Sequence, residues 1–121
     1  MKSFKENVTG DAKACSAQML AVSDAMDILS GKWKITIISA LRFGKRRFKE
    51  LQREIEGITA KMLSKELRDL EMNELVSRTV YDTIPVTVEY ELTAYGKTLD
   101  KVIQELALWG SNHRKRIIRK K

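Results

Sequence analysis

The chain of 121 residues has one cysteine, one histidine and one proline, and only 7% of it is aromatic. A lone cysteine excludes an intramolecular disulfide and suits a reducing cytoplasm. The lone histidine, His113, lies in a basic stretch far along the chain from Cys15, and no cluster has metal-ligand spacing. Ser30-Gly31-Lys32 echoes the end of a phosphate-binding loop, but the upstream glycine is missing and Trp33 stands where Ser or Thr is needed. No catalytic constellation is visible, so the expectation is a protein that is not an enzyme and holds neither cofactor nor metal. No apolar run approaches the ~20 residues that cross a bilayer, and the N-terminal stretch lacks the apolar core of a secretory signal. A cytoplasmic protein with no membrane partner is expected.

What the chain does have is positive charge, +7 net and unevenly placed. Between Ser30 and Ile58 eight Lys/Arg face three Glu, and from Ser111 to Lys121 there are six Lys/Arg and no acid. Basic blocks on a near-neutral body point to a polyanion partner. The length suits one domain with a modest core. The expected organisation is a flexible N-terminal arm over 1–17, a folded domain over 18–110 and a basic C-terminal tail over 111–121.

Periodicity places the elements. Met19, Val22, Met26 and Leu29 recur at helical spacing, and Gly31 stops that helix. Lys32 to Phe43 reads as a helix apolar nearly all round, hence central, closed by Gly44. Phe48, Leu51 and Ile55 line a short helix. Glu56-Gly57-Ile58 is a turn, and Thr59 is the N-cap of a helix reaching about Asn73. Two short helices joined by a tight glycine turn form a helix-turn-helix. Val76–Tyr81 and Val86–Leu92 then alternate with period two, joined through Pro85, and read as a hairpin, or wing. Thr93 starts the last helix, whose stripe is Leu99, Val102, Ile103, Leu106 and Trp109. The fold class is mainly α with a small β-hairpin, a winged helix-turn-helix.

The helix after Thr59 carries the functional signal. Leu63, Leu67 and Leu70 fall in one arc, and Lys61, Lys65 and Arg68 fall opposite. Such a rod can dock with one face and enter a DNA groove with the other. Ala60, Lys61, Met62, Ser64 and Lys65, with Thr59 at the cap, are placed to reach bases, and Arg68 to reach phosphate. Arg46 and Arg47 would position phosphates beside the first helix of the motif, and Arg78 and Thr83 are the contacts expected from the wing. Asp69 is the acid nearest the cationic face and can pair with Lys65 at i, i+4.

The two terminal helices carry more apolar stripe than one small domain covers. Met19, Val22 and Met26 with Leu99, Val102, Ile103, Leu106 and Trp109 are the expected homodimer interface. Cys15 sits beside Lys13 just before the first apolar helix, the setting of a reactive thiol and so of a redox sensor. A small-molecule or redox effector is allowed for but not identified. The alternative to a DNA-binding regulator is a protein-interaction module on the same scaffold, its basic surface serving an acidic protein.

Taken together, Gly31-Lys32-Trp33, Gly44-Lys45-Arg46-Arg47-Phe48-Lys49-Glu50-Leu51, Ile55-Glu56-Gly57-Ile58-Thr59, Leu63 to Glu71, Val88 to Thr93, Gly96 and Trp109 resemble the HxlR family of winged-helix transcriptional regulators. The resemblance spans about Leu20 to Gly110. It implies a dimeric bacterial regulator, with terminal helices forming the dimer and the recognition helix and wing on an operator, by default as a repressor. Many members carry a Cys-Pro pair thirteen residues before the tryptophan; here Leu20-Ala21 stands there, and Cys15 lies five residues upstream.

Overall fold

A computed structural model of the chain describes residues 8–120. They fall into two compact units divided between Gly31 and Lys32. The first unit holds one helix, α1 (Val8–Leu29). It begins well before the apolar stripe does. Ala12, Ala14 and Ala17 favour helix without signalling it through periodicity, so a loose arm extending to residue 17 is corrected to a helix from Val8. The part of the expected arm before Val8 lies outside the described residues. Gly31, with φ of +96°, follows the helix in a conformation that β-carbon-bearing residues avoid.

The second unit is built around α2 (Lys34–Leu41), where Ile37, Ile38 and Leu41 are buried. It packs against α3 (Phe48–Glu54), α4 (Ala60–Met72), the central strand and the last helix. Gly57 makes the turn between α3 and α4 with φ of +88°. β2 (Val76–Tyr81) and β3 (Thr87–Leu92) pair antiparallel, Val76 opposite Leu92 and Tyr81 opposite Thr87. Sequence periodicity missed a third strand, β1 (Arg46–Arg47), which pairs with β3 to give the order β1-β3-β2. Two residues are too few to show a period.

The C-terminal helix is also corrected. Thr93 caps α5 (Ala94–Lys97), a single turn, its hydroxyl accepting from Gly96 N at 2.9 Å. The backbone then tightens, Leu99 N donating to Gly96 O at 3.1 Å, before α6 (Asp100–Lys120) begins. What was expected as a separate basic tail continues α6 through its described part. Arg42 Nε meets Asp100 Oδ1 at 2.5 Å and ties the end of α2 to the start of α6.

Candidate nucleic-acid interface

Thr59 fixes where α4 starts. It is extended, and its Oγ1 accepts from Met62 N at 3.1 Å, satisfying one of the amides a helix N-terminus leaves open. From there the sequence spacing sets the faces. Leu63, Leu67 and Leu70 are buried, and Lys61, Lys65 and Arg68 are exposed on the far side. Ala60 and Thr59 are exposed at the tip, while Met62 and Ser64, on the flanks of the helix, are half-buried.

At its other end α4 closes with a hydrogen-bond pair that reverses the chain. Leu75 N donates to Leu70 O at 3.0 Å and Glu74 N to Glu71 O at 3.0 Å. Glu74 takes φ of +61° to do so. Chain reversal there leads directly into β2, so the wing is joined to the end of the candidate recognition helix.

The flank of α4 that faces α2 carries an ion-pair network. Lys34 Nζ lies 2.6 Å from Glu66 Oε1 and 3.3 Å from Asp69 Oδ2, with a side chain only 13% exposed. Asp69 Oδ2 is also 3.2 Å from Lys65 Nζ, the i, i+4 pair expected from the sequence. Glu66 holds the ammonium of Lys34 above its ordinary range, chiefly through their hydrogen bond. The hydrogen bond from Lys65, and after it that from Lys34, holds the carboxyl of Asp69 below its ordinary value. Nothing in the local sequence marks Lys34 for this role; its partners are 32 and 35 residues away.

The two arginines of β1 have different fates. Arg46 Nε meets Glu54 Oε2 at 3.0 Å and its Nη1 donates to Lys45 O at 3.1 Å, so its guanidinium is used within the fold. Of the two arginines expected to position phosphate, Arg46 is therefore the one already paired. Arg47 is exposed; its backbone N donates to Glu50 Oε1 at 2.8 Å and starts α3. In register, Arg46 and Arg78 flank Tyr90 on one sheet face, and Arg47 lies opposite Glu89 on the other. Arg78 is exposed. Thr83, also exposed, donates to Pro85 O at 2.7 Å and lies 3.2 Å from Thr87 Oγ1, bonds that shape the wing tip. Ile84 at that tip is fully exposed, a side chain the sequence reading passed over.

Among the expected dimer residues, Met19, Val22 and Met26 are exposed on α1, and Val102, Leu106 and Trp109 on α6. Leu99 is half-buried. Ile103 is 4% exposed and belongs to the core of the second unit, so it leaves the interface set. A single apolar stripe cannot distinguish the turn that packs inward from the turns that do not. Cys15 is exposed within α1, not ahead of it, with Sγ 3.9 Å from Met19 Sδ. It lies two turns inside α1, not at a helix end, which removes one of the two supports for its reactivity. Among the described residues no group of His, Cys, Asp or Glu could hold a metal ion, and no helix is long and apolar enough to cross a membrane.

The family model for HxlR-like helix-turn-helix proteins matches residues 28–118. The HTH-type transcriptional regulator YtcD of Bacillus subtilis (strain 168) is 41% identical over 98 residues, 81% of this chain and 78% of that protein. A crystal structure of ytcD superposes with a TM-score of 0.75, covering 78% of this chain and 96% of that one. The redox regulator HypR in its reduced form superposes with a TM-score of 0.77 at 36% identity, covering 82% and 98%.

Proposed function

Because the chain belongs to the HxlR-like helix-turn-helix family, we propose that this transcriptional regulator is a repressor that binds a two-fold symmetric operator as a homodimer. On this reading it acts in the cytoplasm, α4 enters the major groove and the β2–β3 hairpin flanks it. The observation that carries the reading is the exposure of Lys61, Lys65 and Arg68 opposite the buried leucines of α4. Arg47 and Arg78 add cations at the sheet, suited to phosphate and so to register without sequence information. Repression needs only occupancy: a dimer seated on an operator excludes polymerase.

The test is binding of the purified chain to its own upstream intergenic DNA, followed by fluorescence anisotropy against an unrelated duplex. Tighter binding to the upstream fragment at moderate salt is expected. Equal affinity for both sinks the reading and favours an acidic protein partner instead. Lys65→Ala should weaken operator binding by about 1–3 kcal/mol if the ammonium reads a base, with little change for the unrelated duplex.

For the effector, the relative HypR is a redox regulator. In this chain that role would fall to Cys15, the single and exposed thiol. Diamide or a quinone should then alter DNA affinity in the native protein and not in Cys15→Ser. An identical response in both removes Cys15 from the mechanism.

A further inference from the structure

Of the three cations on the outer face of α4, Lys65 is the one in an ion pair among the described residues. Its partner is unusual for a surface carboxylate. Oδ2 of Asp69, 3.2 Å from Lys65 Nζ, is also 3.3 Å from Lys34 Nζ. Lys34 is nearly covered and is anchored a second time by Glu66 at 2.6 Å. An ordinary surface aspartate turns with its partner or away from it. This one is gripped from behind by a lysine of another helix, so it stays beside the cationic face whatever Lys65 does.

We infer that Asp69 is a specificity-determining residue: a negative charge locked by Lys34 at the edge of the DNA-facing surface of α4, where it penalises contact with phosphate of any sequence. The inference rests on the DNA-binding reading above. Sequence-independent affinity is the sum of cation–phosphate contacts. Asp69 subtracts from that sum twice, by repelling phosphate and by occupying the ammonium of Lys65. At a matching site Lys65 exchanges the carboxylate for a directed base acceptor such as guanine O6 or N7. At a wrong site nothing directional replaces it. Specificity is a difference between affinities, and weakening the wrong complex serves it as well as strengthening the right one. The hydrogen bonds from Lys65 and Lys34 keep the carboxyl below its ordinary value and therefore charged. Partly exposed pairs of this kind contribute only a small increment to stability, so the charge can be removed without losing the fold.

The experiment uses the full chain, a duplex carrying the site footprinted in its own upstream DNA, and a shuffled duplex of equal length, titrated by anisotropy across a salt series. Asp69→Asn should tighten binding to the shuffled duplex more than to the site, lowering discrimination roughly fivefold. On the shuffled duplex it should also steepen the salt dependence by about 0.9 for each α4 engaged. Asp69→Glu, which keeps the charge, should behave as the native protein. If the native chain discriminates and Asp69→Asn leaves both discrimination and salt slope unchanged, the inference is overturned while the DNA-binding reading stands. Loss of site binding with shuffled binding unaltered also overturns it, since Asp69 would then be reading a base itself. A native chain that prefers neither duplex removes both the reading and the inference.

Discussion

Three single residues, Glu74, Asp69 and Lys34, set local conditions on stability. Glu74 closes α4 with φ of +61°, a region that costs a residue with a β-carbon roughly 1 kcal/mol. Only its backbone is needed there: the amide donates to Glu71 O and the carbonyl accepts from Thr93 Oγ1 at 2.7 Å. Glu74→Gly should therefore raise stability by about 0.5–1 kcal/mol, read as a higher denaturant midpoint with an unchanged slope. Asp69 sets a pH dependence. Its folded carboxyl titrates below the ordinary value of 3.8, so the stabilisation is complete above that value and is lost as pH falls through the depressed one. Lys34 is the mirror case: its contribution is full below 10.5 and is lost as pH rises through the elevated folded value. Thermal melts should show the native chain losing an acid-side increment of stability that Asp69→Asn lacks; parallel acid limbs would refute the coupling.

Among elements, α5 lies tight against the entry to β2. A β-carbon on Gly96 would lie 2.1 Å from Leu75 O and 3.3 Å from Leu92 Cδ2. Leu75 O already accepts from Thr93 N at 3.0 Å and so holds the cap of α5 in place. Gly96→Ala must push α5 off the sheet and should destabilise the chain by about 1–3 kcal/mol, measured by chemical denaturation; an unchanged midpoint would show that α5 moves freely. At this scale the sequence marks some elements and not others. α4, its Thr59 cap and the β2–β3 pair were legible because each is specified by residues a few positions apart. β1 was not, because its two residues become a strand only through Tyr90 and Glu89. The break between α5 and α6 was hidden because the apolar stripe runs on past it. Lys34 was hidden because its partners lie on another helix, and α1 started early because alanine favours helix without marking a face. For the candidate site, the cationic face followed from angular spacing alone, whereas the engagement of Arg46 by Glu54 required the fold.

For the whole molecule, the decisive feature is apolar surface left uncovered. On α6, Val102, Leu106 and Trp109 follow one another at four and three residues, so they form one stripe; Leu106 is 51% and Trp109 69% exposed. On α1, Met19, Val22 and Met26 repeat the pattern and are likewise exposed. Exposed apolar stripes on a small chain signal a contact surface, and on the homodimer reading a two-fold partner would cover the same stripe on both copies at once. Leu106 is the position to test, because it is exposed where Ile103, one turn earlier, is core. Leu106→Glu should leave the melting of the second unit near native yet shift the chain from dimer to monomer in light scattering. DNA binding should report the same change. On the homodimer reading, two linked copies of α4 would read half-sites about 34 Å apart, or a multiple of that, whereas a monomer would engage one half-site and lose the gain from linkage. The variant should therefore lose the paired footprint before it loses affinity for an isolated half-site. A variant that stays dimeric with a native footprint would mean that the stripe of α6 serves something other than self-association.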